Sequence, residues 1–174
     1  DTVREHIMRQ APARMKNKTV RIYKGFDPEW LKDVQPEDRT KLGIPANAFI
    51  VCCVANIRKI KGIKYLVKAA DHLPDGLPVW FILIGKGSDS PVIKNMILGT
   101  KYAANFITKG YSEEPLSYIS LCNMYIQPSL SEGLGRSLVE AMSLGKPVLV
   151  TDKGGAKELV SQGINGFIVP VKSS

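Results

Sequence analysis

The chain has 174 residues, 44% of them hydrophobic, which is enough for one domain with a buried core. It contains no uncharged apolar run of the ~18 residues that a membrane-spanning helix needs, and its charged N-terminal stretch has no signal-peptide core. The formal net charge of +8 favours anionic partners, but the basic residues are scattered without interleaved aromatic residues, so nucleic acid is not predicted as a partner.

The N-terminal part of the chain differs from the rest. Residues 1–17 are predicted to be an interdomain segment, and residues 18–174 are predicted to be the folded domain. Up to residue 48 the sequence is polar and interrupted by prolines, and it predicts only a short helix over residues 2–9 and a strand over residues 20–23.

From residue 49 onward, short apolar runs alternate with amphipathic stretches that end in glycine. This alternation is typical of βαβ units, which form parallel sheets covered by helices on both faces. The fold class is therefore predicted to be α/β, with an open, doubly wound, Rossmann-like parallel sheet. The predicted strands cover residues 49–55, 79–84, 105–108, 124–127, 147–151 and 166–169, and the predicted helices cover residues 63–73, 91–102, 116–121, 137–144 and 156–162.

The cysteines give no sign of a metal site or of a disulfide. Cys52 and Cys53 are adjacent within an apolar run, and together with Cys122 they show neither a CxxC motif nor a Cys/His ligand spacing. They are predicted to be reduced, buried thiols of a cytoplasmic protein.

Ligands of open parallel sheets bind where the strands end, so the loops that leave the strands are the places to look for function. After the first predicted strand, Asn56 is followed by Arg58, Lys59 and Lys61 at the start of a helix. Cations at that end of a helix oppose its dipole, which favours an anion bound between them. A solvated basic loop is the alternative interpretation.

The loop after the second predicted strand carries Gly85 and Gly87, which would let a ligand approach the backbone closely. A plain turn would use the same glycines. Ser90 stands where a dinucleotide-binding fingerprint has its third glycine, so that fingerprint is incomplete.

The loop after the fourth predicted strand is the most informative stretch. Gly133 and Gly135 can present backbone N–H groups to phosphate or hydroxyl groups, and the helix that follows adds its positive end. Glu132 could accept hydrogen bonds from a sugar, and Glu140 could accept them from the vicinal hydroxyls of a ribose. Either glutamate alone is as well explained by solubility, but two of them around one glycine-rich turn favour a site.

The run EGLGRSLVEAM, with PSLSEG leading into it and KPVLVTDKGGAKELV and GINGFIVP following it, resembles the C-terminal domain of glycosyltransferase family 4. The resemblance begins at IYKGFDPEWL and covers residues 18–171. It implies a retaining enzyme of GT-B architecture, in which this domain binds a nucleoside-diphosphate sugar. The acceptor-binding N-terminal domain and a C-terminal return helix are expected to be absent, so the chain should bind nucleotide without completing the reaction.

The resemblance also implies roles for particular residues. Lys61 and a neighbouring arginine would hold the diphosphate, and Glu140 would bind the ribose hydroxyls. The other residues implied to face the donor are Glu132, Gly133, Leu134 and Gly135 at the sugar and its proximal phosphate, with Gly110 and Tyr111 at the base.

One position departs from the family pattern. Members usually carry an arginine five positions before Lys61, where this chain has Asn56. Either Arg58 takes over the diphosphate contact or that contact is weaker. The residues expected to act in catalysis are Glu132, Lys61 and Arg58.

The implied reaction transfers a sugar to an acceptor hydroxyl with retention of configuration, for synthesis of a glycan or glycolipid. The chain contains no Asp-x-Asp motif, so donor binding is predicted to be metal-independent and to need no cofactor. The acceptor glycan, lipid or small molecule would bind through the other domain. The predicted location is the cytoplasm, and the positive charge is compatible with peripheral contact to the inner face of the cell membrane.

Two other classes of function stay open. A dinucleotide-dependent oxidoreductase would share the sheet but should show the complete glycine fingerprint. A non-catalytic nucleotide- or sugar-binding module with a degenerate glycosyltransferase fold would explain Asn56. The presence of Lys61, Glu132 and Glu140 argues against such a module.

Overall fold

The computed structural model describes residues 8–16, 18, 20, 22 and 25–171. In the N-terminal part, residues 8–10 are helical, helix α1 covers Ala13–Lys16, and a 3-10 turn covers Pro28–Leu31. The helix predicted over residues 2–9 is helical at residues 8 and 9, and the rest of it lies outside the described residues. The strand predicted over residues 20–23 is wrong at its two described residues, Val20 and Ile22, which are exposed and belong to no strand.

The centre of the domain is a six-stranded sheet in which all paired neighbours are parallel. Its strands are β1 Phe49–Val54, β2 Val79–Ile84, β3 Phe106–Thr108, β4 Met124–Gln127, β5 Val148–Thr151 and β6 Gly166–Val169. Their order across the sheet is β3-β2-β1-β4-β5-β6. The predicted doubly wound α/β fold is confirmed, and every strand lies within one residue of its predicted bounds.

Helices cover both faces of this sheet. They are α2 Ile63–Asp71, α3 Pro91–Leu98, α4 Pro115–Leu121, α5 Arg136–Ser143 and α6 Ala156–Leu159. Neighbouring residues of β1 point to opposite faces: Cys52 packs in one apolar cluster with Ile119 of α4 and Leu138 of α5, and Cys53 packs in the other with Leu66 of α2. Because both faces are buried, β1 is apolar along almost its whole length, which made it easy to identify in the sequence.

The three cysteines are free and buried, as predicted. Burial raises the pKa of the Cys53 thiol to about 12, although the nearby charge of Lys61 acts in the opposite direction. The thiol is therefore neutral at physiological pH and contributes to the core as a small apolar group.

Three helices are shorter than predicted: α2 ends two residues early at Asp71, and α3 and α6 end three or more residues early, where side chains bind the backbone that follows the helix. In α6, the Asn165 side chain donates to the Leu159 carbonyl at 3.0 Å and accepts from the Ser161 amide at 2.8 Å, so the helix stops at Leu159 and not at residue 162. In α3, the chain leaves the helix after Leu98, and the Lys101 amide donates to the Asp71 carboxylate at 2.9 Å. The prediction had extended α3 to residue 102.

Candidate functional site

A cleft of about 430 Å³ opens at the carboxyl end of the sheet. It lies at the switch point between β1 and β4, from which the two halves of the sheet wind in opposite directions. Loops that follow four different strands meet there. The sequence-predicted residues that line this cleft are Asn56, Arg58, Lys61, Gly85, Tyr111, Glu132, Gly135 and Glu140.

Glycines allow these loops to approach each other at backbone distance. Gly62 has φ 66°, and a Cβ on it would overlap the Pro128 carbonyl oxygen. Gly85 has φ 120°, and a Cβ on it would overlap the Ala55 carbonyl oxygen. The Leu130 amide also donates to the Ile60 carbonyl at 2.7 Å. The loop after β1 is therefore fixed against the loop after β4.

This contact places Lys61 beside Glu132, and their side chains form an ion pair. The pair is partly buried, with 22% of the Lys61 side chain and 14% of the Glu132 side chain exposed. Glu132 also accepts a hydrogen bond from the buried Ser129 hydroxyl at 3.2 Å and from the Gly133 amide at 3.2 Å. Because several groups hold the carboxylate, its position is set before any ligand arrives.

Glu140 lies on α5 with its carboxylate almost fully buried at the wall of the cleft. Arg136, one turn earlier on the same helix, places its Nε 3.2 Å from Glu140 Oε1. The start of α5 is tied to the end of β1, since the Ser137 hydroxyl donates to the Val54 carbonyl at 3.1 Å. The Tyr125 hydroxyl in turn donates to Ser137 at 2.7 Å. These bonds fix the side of α5 that faces the cleft.

Three sequence-predicted residues do not line the cleft: Gly110, Gly133 and Leu134. The Gly110 amide donates to the Ser88 hydroxyl at 2.9 Å, and its carbonyl accepts from Gly85 at 2.6 Å, so it shapes the loop beside the cleft. The Gly133 carbonyl accepts from the Gly155 amide at 2.5 Å. Gly133 and Leu134 thus connect the glutamate loop to the turn after β5.

Tyr111 stands at the mouth of the cleft with 73% of its surface exposed. Its ring is therefore available to a planar group that enters the cleft. This is the region that the resemblance assigned to the base.

Sequence reasoning did not identify several polar residues that also line the cleft. The most prominent are Gln127, the last residue of β4, and Arg136, the first residue of α5. Both positions could have been found, because each is a polar side chain at the predicted end of a strand or start of a helix. Ser112 and Ser137 lie in the same wall.

The cleft has an excess of positive charge. Its basic side chains are Arg58, Lys61 and Arg136, against the two carboxylates of Glu132 and Glu140. An anionic ligand therefore fits this cleft better than a cationic one.

Within residues 8–16, 18, 20, 22 and 25–171, no cluster of three or more His, Cys, Asp or Glu side chains is arranged to hold a metal ion. In those same ranges, no helix is both long enough and apolar enough to span a bilayer.

The doubly wound sheet and its cleft at the switch point define the class: a Rossmann-like domain that forms one half of a GT-B fold. The chain belongs to the family described as glycosyl transferases group 1, whose sequence pattern matches residues 34–174.

Relatives of known name agree with this family. The chain is 31% identical over 137 residues to a poly(glycerol-phosphate) alpha-glucosyltransferase of Bacillus subtilis, an alignment that covers 78% of this chain and 20% of the relative. It is 25% identical over 134 residues to a lipopolysaccharide core biosynthesis glycosyltransferase of Rhizobium meliloti, which covers 77% of this chain and 38% of the relative.

A solved structure is also similar. The crystal structure of HepE from Anabaena in complex with UDP-glucose superimposes with a TM-score of 0.79 at 28% identity, covering 91% of this chain and 45% of that one. The chain thus spans less than half the length of these relatives.

Proposed function

We propose that this chain is the donor-binding half of a retaining glycosyltransferase. Residues 18–174 would hold a nucleoside-diphosphate sugar, and residues 1–17 would lead in from the acceptor-binding domain. The observation that carries the proposal is the convergence of Lys61, Glu132 and Glu140 in one cleft at the switch point of the sheet. The similarity to HepE, whose structure holds UDP-glucose, supports it.

Each cleft residue has a role in this proposal that follows from its chemistry. Lys61 and Arg58 bind the diphosphate, because an ammonium and a guanidinium are the natural partners of phosphate oxygens. The buried Glu140 carboxylate accepts hydrogen bonds from the ribose hydroxyls, and Glu132 accepts them from the transferred sugar. Tyr111 borders the base at the open end of the cleft.

The remaining residues of the proposed site act through the backbone. Gly135 presents its amide to the sugar and its proximal phosphate, whereas Gly133 and Leu134, which lie outside the cleft lining, hold the glutamate loop against the turn after β5. Gly85 and Gly110, which share a 2.6 Å hydrogen bond, shape the wall beside Tyr111, and Asn56 begins the basic loop.

The difficult step is the departure of the phosphate. The bond between the anomeric carbon and the phosphate oxygen breaks, and its electron pair leaves with the nucleoside diphosphate. The acceptor hydroxyl oxygen then bonds to that carbon on the same face and passes its proton to the departing phosphate oxygen. Cations already positioned around the phosphate stabilise the charge that develops, an effect typically worth about 3–4 kcal/mol for one well-placed donor.

The proposal also includes the metal requirement, the acceptor and the cellular location. Donor binding would be metal-independent, since the sequence has no Asp-x-Asp motif. The acceptor, a glycan, lipid or small molecule, would bind between this domain and a second one. Relatives named for O-antigen and lipopolysaccharide core biosynthesis favour a role in cell-surface polysaccharide assembly in the cytoplasm, with peripheral contact to the inner membrane face.

A thermal-shift titration with UDP, GDP, ADP and NAD tests the proposal. A ligand that binds only the folded state stabilises it by ~2.7 kcal/mol at a hundredfold excess over Kd. For a domain of this size that corresponds to a rise in Tm of about 5–10 °C. One nucleoside diphosphate should give this rise, and Lys61→Met and Glu140→Gln should remove most of it. Lys68→Gln, an exposed cation of α2 outside the cleft, is the matched control.

The same titration distinguishes the alternatives. A shift with NAD and with no nucleoside diphosphate would refute the glycosyltransferase assignment of this cleft. No shift with any nucleotide would favour a degenerate module. A shift that disappears when divalent ions are chelated would overturn metal independence.

A further inference from the structure

The side chain of Gln127 lies at the floor of the cleft and has no hydrogen-bond partner among the described residues. Gln127 ends β4 at the floor of the cleft, with only 6% of its surface exposed. Its carboxamide lies directly under Gly135, where a Cβ would come 2.5 Å from Oε1 and 3.0 Å from Nε2. To the residues that the structure describes, the carboxamide makes no hydrogen bond. Among the described residues, Arg39 Nε is the one enclosed side-chain N or O atom without a partner, so the Gln127 carboxamide is accessible from the cleft and a ligand there can supply its partner.

Arg136 also lines the cleft, and it is a second side chain whose position the fold alone does not explain. It is the first residue of α5, where the unpaired N–H groups of the helix make a cation locally unfavourable. Its Nε is held 3.2 Å from Glu140 Oε1, while 66% of the side chain stays exposed at the cleft. The rest of the guanidinium still offers planar N–H donors, which suit phosphate.

Arg58 is less well positioned than Arg136 to bind phosphate. It lies exposed on the loop after β1, and its side chain makes no ion pair or hydrogen bond with another described residue. Binding would have to order an exposed side chain that no described residue holds, which reduces the gain in affinity. Arg136 is already positioned by Glu140.

We infer that Arg136 and Gln127 together bind the phosphate groups of the donor, so that the start of α5 supplies the cation missing at Asn56. The inference rests on the proposed function, since it assigns two further residues to that site. Gln127 donates through Nε2 from below Gly135, and Arg136 donates from the side. Their target is the diphosphate and not the base, so it is shared by all nucleoside diphosphates.

Isothermal titration calorimetry with UDP, GDP, ADP and inorganic diphosphate tests this inference. Arg136→Gln removes the charge, and Gln127→Met removes the amide while keeping a similar volume. We expect Arg136→Gln to weaken binding of the preferred nucleoside diphosphate ~10-fold and Gln127→Met to weaken it about 3-fold to 5-fold. Lys68→Gln, the charge control on α2, should change it less than twofold.

A stability measurement separates a ligand contact from a structural role. Because Gln127→Met removes an unpartnered buried amide, the Tm of the ligand-free variant should equal or exceed that of the wild type. A residue needed only for folding would lower Tm instead. Arg136→Lys, which keeps the charge but loses the planar fork, should bind with intermediate affinity.

The outcomes are distinguishable. If the wild type binds none of the four probes, the proposed function and this inference both fail. If it binds a nucleoside diphosphate and both variants bind within twofold of it, the proposed function stands and this inference is wrong. A loss in only one of the two variants, or a loss in Arg58→Gln without one in Arg136→Gln, also contradicts the joint phosphate site.

Discussion

Gly62 is the residue on which the geometry of the cleft depends most directly. It has φ 66°, and the space for a Cβ is occupied by the Pro128 carbonyl oxygen. Gly62→Ala should therefore push apart the loops after β1 and β4, which carry Lys61 and Glu132. Gly43→Ala is a matched control, because Gly43 has φ 69° and no atom within 4 Å of its Cβ position.

Gly62→Ala and Gly43→Ala share one destabilising effect, and a second one applies to Gly62→Ala alone. An alanine in the left-handed region costs roughly 1–2 kcal/mol at either position. At Gly62 the overlap with backbone adds about 1–3 kcal/mol, the usual cost of overpacking. Urea denaturation should thus give a free energy of unfolding about 1–3 kcal/mol lower for Gly62→Ala than for Gly43→Ala. Thermal melts should show the same order, at about 2–4 °C per kcal/mol.

Because Gly62→Ala would displace the loops after β1 and β4, the two variants should also differ in nucleotide binding. Gly62→Ala should lose affinity for the nucleoside diphosphate that stabilises the wild type, and Gly43→Ala should keep it. Equal stability of the two variants would refute the reasoning, because it would mean that the close contact with Pro128 does not constrain the loops. Unchanged nucleotide affinity in Gly62→Ala would refute the link between that contact and the site.

Two further predictions concern charged and titratable groups. A double-mutant cycle with Lys61→Met and Glu132→Gln should give a coupling free energy of ~1 kcal/mol in urea denaturation, the upper end for exposed pairs, because this pair is partly buried. A coupling below about 0.3 kcal/mol would contradict it. The pKa of Cys53 is raised from 9.0 to about 12 by burial, so above pH 9 the unfolded chain loses this proton while the folded chain keeps it. Stability should fall as pH rises from 9 toward 12, and Cys53→Ala should show a shallower decline; equal slopes would count against a buried neutral thiol.

The strands could be predicted from the sequence because each carries its own signal. β1 and β2 are continuous apolar runs, and parallel sheets covered on both faces require such runs. The end of α6 could not be predicted, because it depends on Asn165, a residue six positions beyond the last helical carbonyl. That contact exists only once the turn before β6 has formed.

The functional site, like the fold, could be predicted only in part from the sequence. The resemblance named the carboxylates and Lys61, and the structure places them around one cleft. The resemblance did not indicate which charged side chains pair in the absence of ligand. The Lys61 and Glu132 pair depends on the close approach of Gly62 to Pro128. Gln127 was missed although it is a polar side chain at the predicted end of a strand, and its burial at the floor of the cleft became known only from the structure.

The ion pairs in the empty cleft have a consequence for ligand preference. Lys61 pairs with Glu132 and Arg136 pairs with Glu140, so two of the three proposed phosphate-binding cations are next to a proposed hydroxyl-binding carboxylate. A ligand with phosphate alone would draw the cation away from each of the two partly buried carboxylates, which is costly. A free sugar would supply hydroxyls to the carboxylates but no phosphate to the cations. A nucleotide sugar supplies phosphate to the cations and hydroxyls to the carboxylates at once, so inorganic diphosphate and free sugar should each bind more weakly than the intact donor.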